Sequence, residues 1–525
     1  MNPETLFYYR PTASPQRSSE VVETDICIYG ATPAGIAAAI AVHRAGGRAV
    51  IAEFGDRVGG LTASGLGATD IGNKFAIGGI AREFYRRLGA RYGEPEAWMF
   101  EPHAAEALFL EMLDEAGVPV HFRQALATVR KEGNEIREME MEDGTRYRAR
   151  YFIDASYEGD LMAQAGVSYT VGREANAVYD ELLNGIQFGH PHHNFRRFVD
   201  PYRIAGDPRS GLCAGIDADG SGAQGERDRR VQAYNFRLCL TNVEENRLPF
   251  PCPPGYDPER YELLRRYLAT GVWDVLYLSR KMPHGKTDTN NYGGFSTDHI
   301  GANHEWPEAG YARREEIFQD HVTYTAGLLY FLANDPGIPA AVREEVGQWG
   351  LAKDEFTATG GWPHALYIRE ARRMVSDYVM SEHDAVGTRR VSDGIGLAAY
   401  TMDSHHCRRV VRAGRVCNEG DVQVGGVAPY PISYRSLCPS EAECANLLVP
   451  WCLAASHIAF GSIRMEPVGM VLGHSAAVAA LHALRDRAPV QRVSVAKLQE
   501  ALRAAGQVLE VPPGAAALNM NLVPR

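Results

Sequence analysis

Gly30, Thr32 and Gly35 follow a short apolar run and open an Ala-rich stretch. Their spacing is that of a dinucleotide-binding turn, G-x-G-x-x-G, with Thr in the middle place. In that fingerprint the first Gly makes the tight turn, the second lets backbone N–H groups approach a pyrophosphate, and the third allows close helix packing. Thr32 therefore puts a side chain where the phosphates come closest. Glu53 stands where an acidic residue accepts from a ribose 2′-OH, and an acid there disfavours the additional phosphate of NADP. A degenerate Gly turn beside an Ala-rich helix also occurs in α/β proteins without a nucleotide, so both readings stand on these residues alone. Bare backbone follows in Arg57-Val-Gly-Gly60 and Ser64-Gly-Leu-Gly67. These segments are either ordinary loops or a track along a pyrophosphate.

Proton-handling residues lie further along. His405 and His406 follow Met402-Asp-Ser, and His457 sits in Ala455-Ser-His-Ile, between a strand candidate and a second Ala-rich helix. A His near neutrality suits uptake of a proton from a hydroxyl or amine. Position favours His457 as base, with His405 next; the alternative for either is a structural His. Arg369, Arg372 and Arg373 fall on one predicted helix with Tyr367 and Glu370. They either hold an anionic or hydroxyl-rich substrate through forked donors or pair with Glu370, Asp377 or carboxylates of the nucleotide domain. His190, His192 and His193 have no carboxylate or Cys in a ligand pattern, and nine Cys form no C-x-x-C pair. No metal site is expected, and free thiols in a reducing cytoplasm are.

The elements that must position these residues are legible in part. The run Asp25-Ile-Cys-Ile-Tyr-Gly30, the turn, residues 36–44 and the run Arg48-Ala-Val-Ile-Ala-Glu53 read as a compact βαβ unit. Gly46-Gly47 ends its helix. Residues 104–117 predict an amphipathic helix, 118–129 and 135–150 strands around the turn at Asp143-Gly144, and 151–154 a buried strand. In the irregular middle, 313–332 predicts a helix. Near the end 446–449 predicts a strand, 467–484 an Ala-rich helix with Pro in its first turn, and 494–505 an amphipathic helix.

Composition sets outer limits. The chain has 525 residues, 45% hydrophobic and 23% charged, as in a globular protein with a sizeable core. A net charge of −11 is the wrong sign for holding nucleic acid by electrostatics. The first twenty residues lack the apolar core of a signal peptide, and no run of about 18 apolar residues predicts a membrane span. A cytoplasmic location without membrane or nucleic-acid partners is the expectation.

Four segments, Tyr29-Gly-Ala-Thr-Pro-Ala-Gly-Ile36, Gly59-Gly-Leu-Thr-Ala-Ser-Gly-Leu-Gly67, Asp154-Ala-Ser-Tyr-Glu-Gly-Asp-Leu-Met162 and Ser462-Ile-Arg-Met-Glu-Pro467, together resemble the bacterial FAD-dependent oxidoreductases, glutathione-reductase-type flavoproteins of which some carry a xanthan lyase label. The likeness continues through Leu366-Tyr-Ile-Arg-Glu-Ala-Arg-Arg-Met374, Met402-Asp-Ser-His405 and Asn418-Glu-Gly420. It implies an α/β fold: a discontinuous Rossmann-like FAD-binding domain at 21–175 and 440–490, and an inserted α+β substrate or cap domain at 176–439. A polar extension at 1–20 and a C-terminal helix and tail at 491–525 complete the chain.

The resemblance also implies FAD contacts. Gly30, Thr32, Pro33, Ala34 and Gly35 would meet the pyrophosphate, Glu53 the ribose, Gly59, Gly60, Leu61 and Thr62 the flavin side, and Val129 the adenine. Asp154 and Asp160 would lie near the cofactor. Met465, Pro467 and Gly469 would bring a helix N-terminus to the flavin pyrimidine edge. Phe54, Arg57, Ala155, Arg464 and Met470 complete the expected set.

The expected reaction oxidises a polar, hydroxyl-bearing small molecule by hydride transfer to flavin N5, with electrons passing to O2 or another carrier. His457, His405 and Arg369 are the candidate catalytic residues. The alternatives are a flavin monooxygenase or NAD(P)H-using reductase, for which no second Gly-rich βαβ fingerprint is present, and a flavoprotein in which FAD is structural.

Overall fold

Strand β1 (Val21–Glu23) leads into β2 (Ile26–Tyr29), helix α1 (Pro33–Arg44) and β3 (Ala49–Ala52), the expected βαβ unit. Helices α2 (Gly79–Arg91) and α3 (Pro102–Ala116) follow, then β4 (Val120–His121), β5 (Leu126–Glu132), β6 (Glu135–Met141), β7 (Arg146–Arg148) and β8 (Tyr151–Asp154). The computed structural model describes residues 6–11, 18–220, 222–279 and 281–511. Of the extension at 1–20, residues 1–5 and 12–17 lie outside the described residues, as do 512–525 of the tail.

Five parallel strands form the central sheet in the order Leu447–Leu448, β8, β2, β3, β4. β2, β3 and β8 are buried along their whole length, which is why they read as unbroken apolar runs rather than alternating ones. A second sheet, β1-β7-β6-β5, is antiparallel across β5, β6 and β7, with β1 parallel to β7. The single strand expected at 118–129 is divided into β4 and β5. Arg123 between them takes φ +59° and donates its N–H to Gly55 O, which ends the pairing.

The closing helix Glu466–Asp486 packs on α1. A Cβ on Gly473 would come within 2.0 Å of Ala34 O, so glycine lets the two backbones touch. This helix is long and apolar enough to cross a membrane, yet 83% of its apolar window is buried in the fold, where it serves as core. Residues 176–439 hold the helix Tyr311–Asn334 and several two- and three-stranded sheets joined by long irregular stretches. They are tied to the part of the chain that holds the parallel sheet by pairing of Arg373–Met374 with Tyr169–Thr170. Gly65 strengthens the tie, for a Cβ there would lie 2.0 Å from Arg237 O.

Candidate active site

The turn after β2 is built around Thr32. Its Oγ1 donates to Ala155 O at 2.7 Å and accepts from Gly35 N–H at 3.3 Å, so one hydroxyl caps α1 and ties β2 to the loop after β8. The side chain that breaks the glycine fingerprint thus occupies no phosphate position; it points into the protein. Gly30 turns at φ +103°, and a Cβ on Gly35 would lie 2.0 Å from Gly30 O. The backbone N–H groups of Thr32 and Ala34 are buried and have no acceptor among the described residues. Two orphaned donors at the positive end of a helix form an anion cradle. At the end of β3, Glu53 accepts from Ala31 N–H at 2.5 Å and Gly55 N–H at 2.6 Å. Burial nevertheless pushes its carboxyl up to about 7. Arg123 and Gln124 meet this end of the sheet, Gln124 N–H donating to Glu53 O at 2.8 Å, whereas Val129 lies farther along β5.

Beyond Glu53 the loop carrying residues 59–62 is fixed to the closing helix. Gly59 and Gly60 both take positive φ, and a Cβ on Gly60 would meet the Tyr157 hydroxyl at 2.2 Å. That hydroxyl accepts from Leu61 N–H at 2.8 Å and donates to Glu466, to which Thr62 Oγ1 also donates at 2.9 Å. Glu466 is the first residue of the closing helix, and burial pushes its carboxyl up to about 8. Pro467 sits in the first turn, and Gly469 packs against the Trp451 ring, where a Cβ would approach to 2.7 Å.

Next to this helix terminus lies a continuous polar cluster. Arg464 Nη2 reaches Asp403 at 3.1 Å and Gln232 Oε1 at 3.3 Å; the same Gln232 oxygen accepts from His405 N–H at 3.0 Å. His405 Nδ1 meets Asp298 Oδ2 at 2.8 Å, and Arg369 meets the other Asp298 oxygen at 2.9 Å. Arg369 continues to Asn290, which accepts from Asn235. Burial and Arg369 work against a charge on His405, but Asp298 and Asp403 outweigh them and hold the imidazole above its ordinary range. Within this chain of contacts Arg369 Nε, Arg464 Nε, Gln232 Nε2 and Asn235 Oδ1 are buried without a hydrogen-bond partner.

Arg369, Arg372 and Arg373 do not share a helix. The segment is extended, with Tyr367 N–H donating to Asn235 O and Met374 N–H to Cys452 O, and long-range backbone partners override its helix-forming composition. The three guanidiniums diverge. Arg369 enters the cluster, Arg372 pairs with Asp160, and Arg373 pairs with Glu174 and Glu370. Asp160 also holds Arg314, and Asp154 caps its own loop through Ser156. His457 is 2% exposed, with Nδ1 on Glu370 at 2.8 Å and Nε2 on Ser404 at 2.9 Å. Both ring nitrogens are engaged, and Glu370 links this pair to the cluster by accepting from Gln232 N–H at 2.8 Å.

A separate group, Glu101, His103 and Glu355, has metal-ligand geometry. Its centre is taken by Lys286 Nζ, 2.6 Å from Glu101 and 2.7 Å from Glu355. The ammonium supplies the cation.

Compared with family models, residues 25–502 match FAD dependent oxidoreductase. The chain belongs to this family. The chain is also similar in part to solved structures. These include OxyS anhydrotetracycline hydroxylase from Streptomyces rimosus, 15% identical over 30% of this chain and 36% of that one, TM-score 0.24. L-proline dehydrogenase from P. horikoshii is 14% identical over 29% and 59%, TM-score 0.25, and L-amino acid deaminase from Proteus vulgaris is 14% identical over 32% and 54%, TM-score 0.25. These matches span about a third to three fifths of the relatives' length and add no argument beyond the family. None of the curated proteins compared with this chain matches it.

The family cofactor, FAD, fits the residues present. The orphaned N–H pair at α1 suits a pyrophosphate and the Glu53 carboxylate a ribose diol. Asp298, Gln232 and Asn235 escaped the sequence reading, since they lie in aperiodic loops. Asp403 and Glu466 stood inside recognised segments, but nothing local marks a carboxylate as buried.

Proposed function

We propose that the oxidoreductase holds FAD in the glutathione-reductase arrangement and oxidises a neutral, hydroxyl-bearing small molecule in the cluster around His405. The β5-β6-β7 meander, inserted in the chain between β4 and β8 of the parallel sheet, supports that arrangement, with the pyrophosphate at the α1 cradle, the ribose at Glu53 and the flavin side along residues 59–62. When bound, FAD supplies a hydride acceptor.

The observation that carries the substrate reading is the set of orphaned polar atoms. Donors on Arg369, Arg464 and Gln232 and an acceptor on Asn235 converge in one buried network, and a polyol offers both complements. Charge argues the same way, because Asp298 and Asp403 neutralise Arg369 and Arg464. With His405 neutral, the state in which it can take up a proton, an anionic substrate would find no unbalanced cation in this set. His405, oriented by Asp298, takes the hydroxyl proton at Nε2; Arg369 and Arg464 orient the substrate oxygens through Nε.

The test is an anaerobic panel of sugars, polyols, hydroxy acids and amines, scored by bleaching of bound flavin. Polyols or sugars should bleach it in the wild type and fail to do so in His405→Asn. Bleaching by NAD(P)H alone, or by amino acids but no alcohol, would overturn the reading.

A further inference from the structure

The family match begins at residue 25, and residues 6–10 precede it. They are nevertheless built into the fold. Leu6 is 2% exposed, and its carbonyl accepts from Gln319 Nε2 at 2.9 Å. The N–H groups of Tyr8 and Tyr9 both donate to Glu315 Oε2, each at 2.7 Å. The Tyr8 ring lies 4.7 Å from Phe54 and 4.7 Å from Trp306, and its hydroxyl donates to Glu158 at 3.1 Å. The Tyr9 hydroxyl donates to Glu142 at 2.7 Å.

The strap therefore joins three parts of the chain: the helix Tyr311–Asn334, the turn after β6 and the loop after β8. The residue on which its ring rests, Phe54, directly follows Glu53. A group of aromatic rings that begins one residue after the carboxylate proposed to hold the ribose suits a purine, whose apolar faces stack on aromatic rings at about 1–3 kcal/mol per base.

We propose that Tyr8, from outside the family's matched segment, completes the adenosine end of the FAD site and retains the cofactor there. This rests on the placement of the ribose at Glu53 argued above. Tyr8 acts on binding rather than on chemistry, and its hydroxyl bond to Glu158 fixes the ring against Phe54.

Apoprotein of the full chain is titrated with FAD, following flavin fluorescence, for wild type, Tyr8→Leu, Tyr8→Phe and Glu53→Gln, with melting of each apoprotein recorded alongside. Tyr8→Leu should weaken FAD binding about tenfold and Tyr8→Phe about two- to threefold, with apoprotein melting close to wild type. Wild-type affinity in both Tyr8 variants, with Glu53→Gln weakened, overturns the Tyr8 proposal alone. Wild-type affinity in Glu53→Gln as well overturns the ribose placement. Tighter binding in Tyr8→Leu would show that Tyr8 obstructs the site and also overturns the proposal. Should Tyr8→Leu lose its cooperative melting, Tyr8→Phe decides: unchanged FAD affinity in it counts against the proposal.

Discussion

Thr62 Oγ1 donates to Glu466 Oε2 at 2.9 Å although 404 positions separate the two residues. This bond and the Tyr157 hydroxyl lock the loop after β3 to the first turn of the closing helix. The carboxyl they share is buried enough that its ordinary charge is lost near neutrality.

Glu466 should make stability fall with rising pH. Its folded value of about 8 lies above the unfolded value of about 4.3, so the folded state holds an extra proton between those limits. Wild type therefore loses stability from about pH 4.3 to 8 and no further above it, whereas Glu466→Gln has no such slope. At fixed FAD, urea unfolding should find the two proteins alike at pH 5, with the variant more stable by about 2–4 kcal/mol at pH 8. Parallel profiles would remove Glu466 as the source.

Gly35→Ala should abolish tight FAD binding. Its Cβ would meet Gly30 O at 2.0 Å, a backbone atom that can yield only by opening the turn. Gly46→Ala is the control. It also sits at positive φ, at +78°, but with nothing within 4 Å of the added atom. Its cost should be about 1 kcal/mol of stability with FAD affinity kept. Equilibrium dialysis and melting of both variants check this, and an unaffected affinity in Gly35→Ala would contradict the cradle.

FAD affinity should depend on pH through Glu53. With the ribose at Glu53 as proposed, its hydroxyls would donate to the ionised carboxylate, but burial holds the free group's value at about 7. Below that pH binding must expel a proton, so affinity should drop up to about tenfold per unit. Glu53→Gln should bind more weakly at pH 8 and lose most of the slope. Titrations from pH 5.5 to 8.5 read both, and an unchanged slope in the variant would exclude Glu53.

His405→Asn and His457→Asn should fail differently. The first should slow flavin reduction by about 10²–10⁴, besides costing about 2–4 kcal/mol of stability because it leaves buried Asp298 to Arg369, and wild-type reduction should speed up with pH as the raised His405 value is passed. The second removes one of the partners of buried Glu370, leaving that carboxylate to Arg373 and Gln232 N–H, and should cost about 2–4 kcal/mol of stability. Stopped-flow reduction together with unfolding curves separates the two, and slowed reduction in stable His457→Asn would move the base role to that residue.

How legible these arrangements are depends on how far apart their parts lie. Residues 366–374 carry Leu, Arg, Glu, Ala and Met, all good helix formers, yet the segment is extended. Its backbone partners, Asn235 and Cys452, come from distant chain. His457 stands beside the closing helix in sequence, and in space its ring lies between Glu370 and Ser404, which position along the chain does not show. Thr32 looked like an obstruction until its partners, Ala155 O and Gly35 N–H, showed the hydroxyl turned inward.

The amino-acid sequence alone determined the βαβ unit, the Gly30 and Gly35 positions, Glu53 and the closing helix, because strand burial, helix packing and turn geometry act over a few residues and leave periodic marks. The tertiary structure alone decided which charges meet. The Asp298–His405 pair, the divergence of the three arginines, the proton held on Glu466 and the seat of Tyr8 all depend on desolvation and long-range contact, which no local pattern encodes.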